Sequence, residues 1–141
     1  MSKTVTPEEA QALQSEGYVY VDVRSEQEFE GGHPKGAVNV PISHMGPAGF
    51  EPNPDFMSVM EQSFAKDEKL VIGCKSGARS RRAAAMLTSA GFSTVADMIA
   101  GFGGSRDAFG RPSPGWQQKN LPVETGAPDG QSYASVKTRQ R

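Results

Sequence analysis

The chain has 141 residues, one cysteine, two histidines and a formal net charge of −1, a length that supports one domain with its own core rather than two. Near-neutral charge without a basic stripe argues against nucleic acid as the main partner. No apolar run approaches the roughly 18 residues of a membrane span, and the opening MSKTVTPEEA lacks the apolar centre of a secretory signal. A lone cysteine cannot close an internal disulfide, and with two histidines it makes a poor zinc set. The expectation is a reducing, cytoplasmic protein with no metal or other cofactor.

Thr6, Pro7 and Glu9 form a capping box with proline at the first helical position. Ala10 and Leu13 give the helix that follows an inward face. Residues 18–23, YVYVDV, are β-branched and aromatic, the pattern of a buried strand. Ser25 and Glu28 make a second capping box, for a short helix that runs through Phe29 and stops at Gly31 and Gly32. Residues 37–40 read as a brief strand closed by Pro41. Residues 43–52, rich in glycine and proline, read as a loop.

Asn53 and Pro54 open a helix in which Phe56, Val59, Met60 and Phe64 recur at helical spacing. Residues 69–73 are the next strand. A helix over 79–90 turns Ala83, Met86, Leu87 and Ala90 inward and Arg81 and Arg82 outward, and ends at Gly91. Residues 94–98 are the last central strand. Strands alternating with helices at this spacing predict a mainly parallel sheet covered on both faces. Beyond it lies an irregular glycine-rich stretch, with Trp116 anchoring a short helix. Residues 126–141 have little apolar content and read as a flexible tail.

The cysteine lies in VIGCKSGARS, residues 71–80. Cys74 falls just past the carboxyl end of a predicted parallel strand, where open α/β sheets place their ligands. A helix begins within a few residues, and its free N–H groups and positive dipole end favour an anion there. Gly77 permits the tight turn that points amides inward, and Lys75 and Arg79 add positive charge. The thiolate, the nucleophilic form, is the species such a cradle stabilises.

The run Cys74-Lys75-Ser76-Gly77-Ala78-Arg79-Ser80 resembles the active-site loop of the rhodanese family of sulfurtransferases. Asp22-Val23-Arg24 with Glu28-Phe29 downstream is similar to the family's first signature. Residues 32–41, GHPKGAVNVP, are similar to its second. The resemblance spans about residues 4–124. It implies a single rhodanese-like α/β domain over residues 1–125, with a central, mainly parallel sheet of about five strands and helices on both faces.

It also implies a mechanism. The Cys74 thiolate takes the outer sulfur of thiosulfate or a related donor, and the resulting persulfide passes it to cyanide, a thiol or a sulfur-accepting protein. Cys74 is then the catalytic residue, Lys75, Ser76, Gly77, Ala78, Arg79 and Ser80 bind the substrate, and Asp22 and Arg24 support the loop by ion pairs. Two other readings stay open. Cysteine phosphatases and arsenate reductases share the thiolate-in-a-loop design, but their loops place five residues between cysteine and arginine, against four here. Some rhodanese-like domains are non-catalytic binding modules, and those commonly lack the cysteine; the related alternative is a persulfide carrier that only passes sulfur to a protein partner.

Other residues carry weaker expectations. His33, before a proline, is a hydrogen-bonding strut. His44 has no evident partner. Lys75 is the group best placed to meet an anionic donor, and Arg79 is expected to hold the loop's shape. Residues 105–115 lengthen the segment before Trp116, so that Arg106 and Arg111 either reach the pocket mouth or lie on an ordinary surface loop.

Overall fold

A computed structural model describes residues 2–138. Strand β1 (Lys3–Val5) leads into α1 (Pro7–Ser15), then β2 (Val19–Asp22), α2 (Glu26–Gly31) and the two-residue strands β3 (His33–Pro34) and β4 (Val38–Asn39). A hairpin of β5 (Ser43–Gly46) and β6 (Gly49–Pro52) precedes α3 (Phe56–Ser63), β7 (Lys69–Gly73), α4 (Ala78–Ser89) and β8 (Thr94–Met98). The short strands β9 (Ser105–Arg106), β10 (Pro112–Ser113) and β11 (Val123–Glu124) and the helix α5 (Tyr133–Val136) complete the order.

The central sheet has five strands in the order β1-β8-β7-β2-β4, every neighbouring pair parallel. Side chains alternate along each strand and divide the interior into two cores. Val21, Leu70, Ile72 and Val95 pack under α3, α4 and α5. Tyr20, Val71, Ala96 and Met98 pack on the other face with Ala10 of α1, Phe29 of α2, Phe102 and Trp116. Helices therefore cover both faces.

Both capping boxes form, Thr6 with Glu9 and Ser25 with Glu28. Four local expectations need correction, and the parallel edge strand β1 is an element for which there was no expectation. Residues 43–52 form a two-stranded hairpin rather than a loop, because Gly46 and Gly49 pair across a two-residue turn. Met86 is exposed, and Ala84 takes the inward place in α4. Trp116 is buried, but the residues after it form turns instead of a helix. The flexible tail expected over 126–141 is contradicted for 126–138: Tyr133 and Val136 of α5 are buried in the core beneath α3. Ser63 donates to the Val136 carbonyl and Asn53 to the Tyr133 hydroxyl, so ordinary burial holds the segment down. The last three residues of that expectation lie outside the described part. Among the described residues no helix is long and apolar enough to cross a membrane.

Candidate active site

Strand β7 ends at Gly73, and Cys74 follows it with only 1% of its surface exposed. Its Sγ accepts two backbone hydrogen bonds, from the N–H of Gly77 at 3.1 Å and of Ser80 at 3.3 Å. These donors belong to the cap and first turn of α4, which no side chain caps. The helix's positive end thus faces the sulfur. Gly77 turns the chain with φ 101°, and a Cβ there would sit 2.4 Å from the Ile99 carbonyl oxygen. Only glycine fits that corner. The Ser80 hydroxyl donates to the Gly77 carbonyl and stiffens the turn.

The loop is also held from behind. Phe102 N–H donates to the Cys74 carbonyl at 2.7 Å, and Gly103 N–H to the Lys75 carbonyl at 2.9 Å. Gly101, at φ 76°, lies so close that a Cβ would meet the Lys75 carbonyl at 2.3 Å. The backbone of the 101–103 turn therefore fixes where the loop carbonyls point, which leaves the loop N–H groups free to face inward.

Arg79 does not point at the sulfur through a hydrogen bond. It makes a bidentate pair with Glu28, at 2.7 and 3.0 Å, and its guanidinium lies 4.6 Å from the Phe50 ring centre. Burial alone would raise the Glu28 carboxyl, but the Arg79 hydrogen bond and the Ser25 backbone N–H outweigh it and hold Glu28 at about 2. For Arg79, burial works against the cation and Glu28 more than restores it. The pair staples α2 to the start of α4.

Asp22 and Arg24 pair with each other in a buried bidentate contact rather than with the loop. Arg24 also donates to the Gly32 carbonyl and stacks 4.5 Å from the Phe102 ring centre. Their support of the loop is indirect, through Phe102. The Lys75 side chain is exposed and, with Arg24, Glu28, Gly32, Phe102 and Gln117, lines a cleft of about 270 Å³. Ser76 and Ala78 are exposed. Of the residues that follow Cys74 in the loop, Gly77 and Ser80 meet the sulfur through their N–H groups, Lys75 lines the cleft, and Arg79 turns toward Glu28.

His33 is a strut: its Nδ1 lies 2.8 Å from the Phe29 carbonyl oxygen and its ring stacks on Phe29. His44 has a neighbour after all, the tilted ring of Tyr133 at 6.0 Å. Arg106 and Arg111 bond within their own hairpin, to the Gly110 carbonyl and to Asp107, and line up with the surface-loop reading.

Three contributors escaped the sequence reading. Glu28 was legible as a cap, but its pairing with Arg79 spans 51 positions. The 101–103 turn signalled only by its glycines. Asp97, at the end of β8, is 3% exposed and its Oδ1 has no hydrogen-bond partner. Burial raises its carboxyl, and the Ser80 hydroxyl and the Arg81 charge offset that in part.

The chain that carries this buried cysteine is similar to known proteins. The family model for the Rhodanese-like domain covers residues 6–107. The chain belongs to that family. Thiosulfate sulfurtransferase 16 of Arabidopsis thaliana is 41% identical over 86 residues, 61% of this chain and 72% of that protein. Thiosulfate sulfurtransferase GlpE of Haemophilus influenzae is 29% identical over 123 residues, 87% of this chain and 95% of its own length. The chain spans only 57% of the senescence-associated protein DIN1 of Raphanus sativus, at 36% identity. Among solved structures, Rv0390 from M. tuberculosis superposes with a TM-score of 0.73 at 29% identity, covering 89% of this chain and 98% of that one. This rhodanese-like chain therefore resembles named thiosulfate sulfurtransferases in sequence and Rv0390 in architecture, and α5 lies beyond the residues that the family model covers.

Proposed function

We propose that the protein is a sulfurtransferase that moves a sulfane sulfur from thiosulfate or a related donor, through a Cys74 persulfide, to cyanide or a thiol. The observation that carries this reading is the pair of backbone N–H groups on the Cys74 sulfur. The Cys74 thiolate attacks the outer sulfur of thiosulfate. A bond forms between Sγ and that sulfur, the sulfur–sulfur bond of the donor breaks, and sulfite leaves with the electron pair. Cyanide or a thiolate then attacks the outer sulfur of the persulfide, and Cys74 leaves as a thiolate again.

Each step is covalent exchange between sulfur nucleophiles. The amides of Gly77 and Ser80 stabilise negative charge on the reacting sulfur in both, as oxyanion donors do for oxygen. Lys75 at the cleft rim attracts the anionic donor, and the Glu28–Arg79 pair keeps the α4 amides in place. Four residues between Cys74 and Arg79 leave a tighter cradle than a tetrahedral phosphate needs, which favours sulfur over phosphoryl transfer. The lone thiol suits a reducing compartment such as the cytoplasm.

The test is to incubate the protein with thiosulfate, read its intact mass for one added sulfur, and then follow thiocyanate on adding cyanide. Both signals are expected from the wild type and neither from Cys74→Ser. Added sulfur without turnover would make the protein a persulfide carrier, and no added sulfur would make it a binding module.

A further inference from the structure

Among the described residues, the large apolar side chains left exposed are Met45, Phe50, Met86, Phe109 and Val123. Three of them lie on the β5–β6 hairpin and on α4. Met45 and Phe50 are direct cross-strand partners in the β5–β6 hairpin, so their side chains rise from the same face. They are 49% and 50% exposed. The hairpin is tied to α4 at two points: Phe50 stacks on the Arg79 guanidinium, and Arg82 donates to the Ser43 hydroxyl. Residues 79, 82 and 86 lie on one stripe of α4, so Met86 continues the same surface.

Arg82, exposed on that stripe, forms no ion pair among the described residues, and neither does exposed Lys75 in the Cys74 loop. Arg79 is already matched by Glu28, and Arg81 acts on the Asp97 carboxyl. An apolar patch flanked by an exposed, unpaired arginine marks a protein-binding site rather than ordinary surface. Glu51, the hairpin's own carboxylate, pairs across the strands with His44 on the alternate face. The patch is too open for a small anion to need it, and it adjoins the Cys74 loop through Arg79, whose guanidinium stacks on Phe50.

We propose that the β5–β6 hairpin and the adjoining stripe of α4 dock a sulfur-accepting protein that presents a cysteine on an apolar lip with a carboxylate rim. This rests on the sulfurtransferase reading. The acceptor thiolate attacks the outer sulfur of the Cys74 persulfide, the bond from that sulfur to Sγ breaks, and Cys74 leaves as a thiolate. The acceptor carries the sulfur away as its own persulfide, and no oxidant or reductant is consumed.

The probes are short peptides with a central cysteine between leucines, flanked by glutamates in one and by lysines in the other, tested on the full chain. The wild type is expected to use the glutamate peptide about tenfold more efficiently than the lysine peptide, a preference that added salt erases. Met45→Ser/Met86→Ser lowers kcat/KM for the glutamate peptide about tenfold, and Arg82→Ala removes most of the charge preference. Both variants leave turnover with cyanide unchanged. Serine versions of the peptides, followed by fluorescence anisotropy, read docking without sulfur transfer, so a chain that makes no thiocyanate would defeat the sulfurtransferase reading and still leave the surface decided. Equal binding of the two peptides, or variants that bind as the wild type does, overturns the proposal. Sedimentation is expected to show a monomer; a dimer that Met45→Ser/Met86→Ser dissociates assigns the face to a second copy and also overturns it.

Discussion

Glu28 serves two structures at once, the capping box of α2 and the clamp on Arg79. Its ordinary carboxyl value of 4.5 falls to about 2 in the folded chain. A depressed carboxyl contributes stability that is complete above the unfolded value and is lost as pH falls from about 4.5 toward 2. Discounted for the partial solvent exposure of the pair, the contribution is about 1 kcal/mol. Glu28→Gln is therefore expected to lower the urea midpoint at neutral pH and to converge with the wild type near the acid end of that window. It should also lower kcat more than it raises KM, because the α4 amides lose their tether. Asp97 has the opposite sign: burial raises its carboxyl, so folding favours the neutral form and stability declines as pH rises through its range. Asp97→Asn is expected to stabilise the chain at neutral pH by about 1 kcal/mol, and the gain should vanish in acid. Denaturant melts of both proteins across pH check it. Lys75 is different again, an exposed charge. Lys75→Ala should raise KM for thiosulfate about fivefold at low salt with little change in kcat, an effect that salt screens away. An unchanged KM at low salt would return Lys75 to the role of a solvated side chain.

At the level of elements, what could be read from sequence was what is local. The two capping boxes, the buried strands β2, β7 and β8 and the loop from Cys74 to Ser80 are contiguous, so their residue types carry their geometry. The hairpin was lost because Gly46-Pro47-Ala48-Gly49 has the composition of coil, although its strands pair by backbone alone. Strand β1 has three residues, too few to show a period. Helix α5 depends on two side chains, Tyr133 and Val136, in an otherwise polar stretch, and nothing local says that a groove beside α3 awaits them. Glu28 and the 101–103 turn meet the loop only through tertiary structure. Removal of residues 126–141 tests the element most at odds with expectation. Exposing those two core side chains should cost about 3 kcal/mol and lower Tm by about 10 °C, read by a thermal melt. An unchanged Tm would mean that α5 contributes nothing to the core.

For the whole molecule, one architecture separates the work of its two faces: the sheet fixes the carboxyl-edge position of Cys74, and the loops around it are braced from both cores. Phe102 and Arg24 brace it from the α1–α2 side, and α4 supplies the amides from the other. The C-terminal segment closes the far side of this frame. Strand β4 is the outer strand of the sheet, and its Asn39 N–H donates to the Gln131 carbonyl while Gln131 donates to the Ala37 carbonyl. A bare sheet edge offers unpaired amides to any extended chain it meets. Residues 126–138 thus act as a sealing strip as well as a buttress, and their loss would leave a surface on which one molecule can template strand addition by the next. A truncated chain should accordingly scatter light at concentrations where the intact one stays clear, well below its melting temperature.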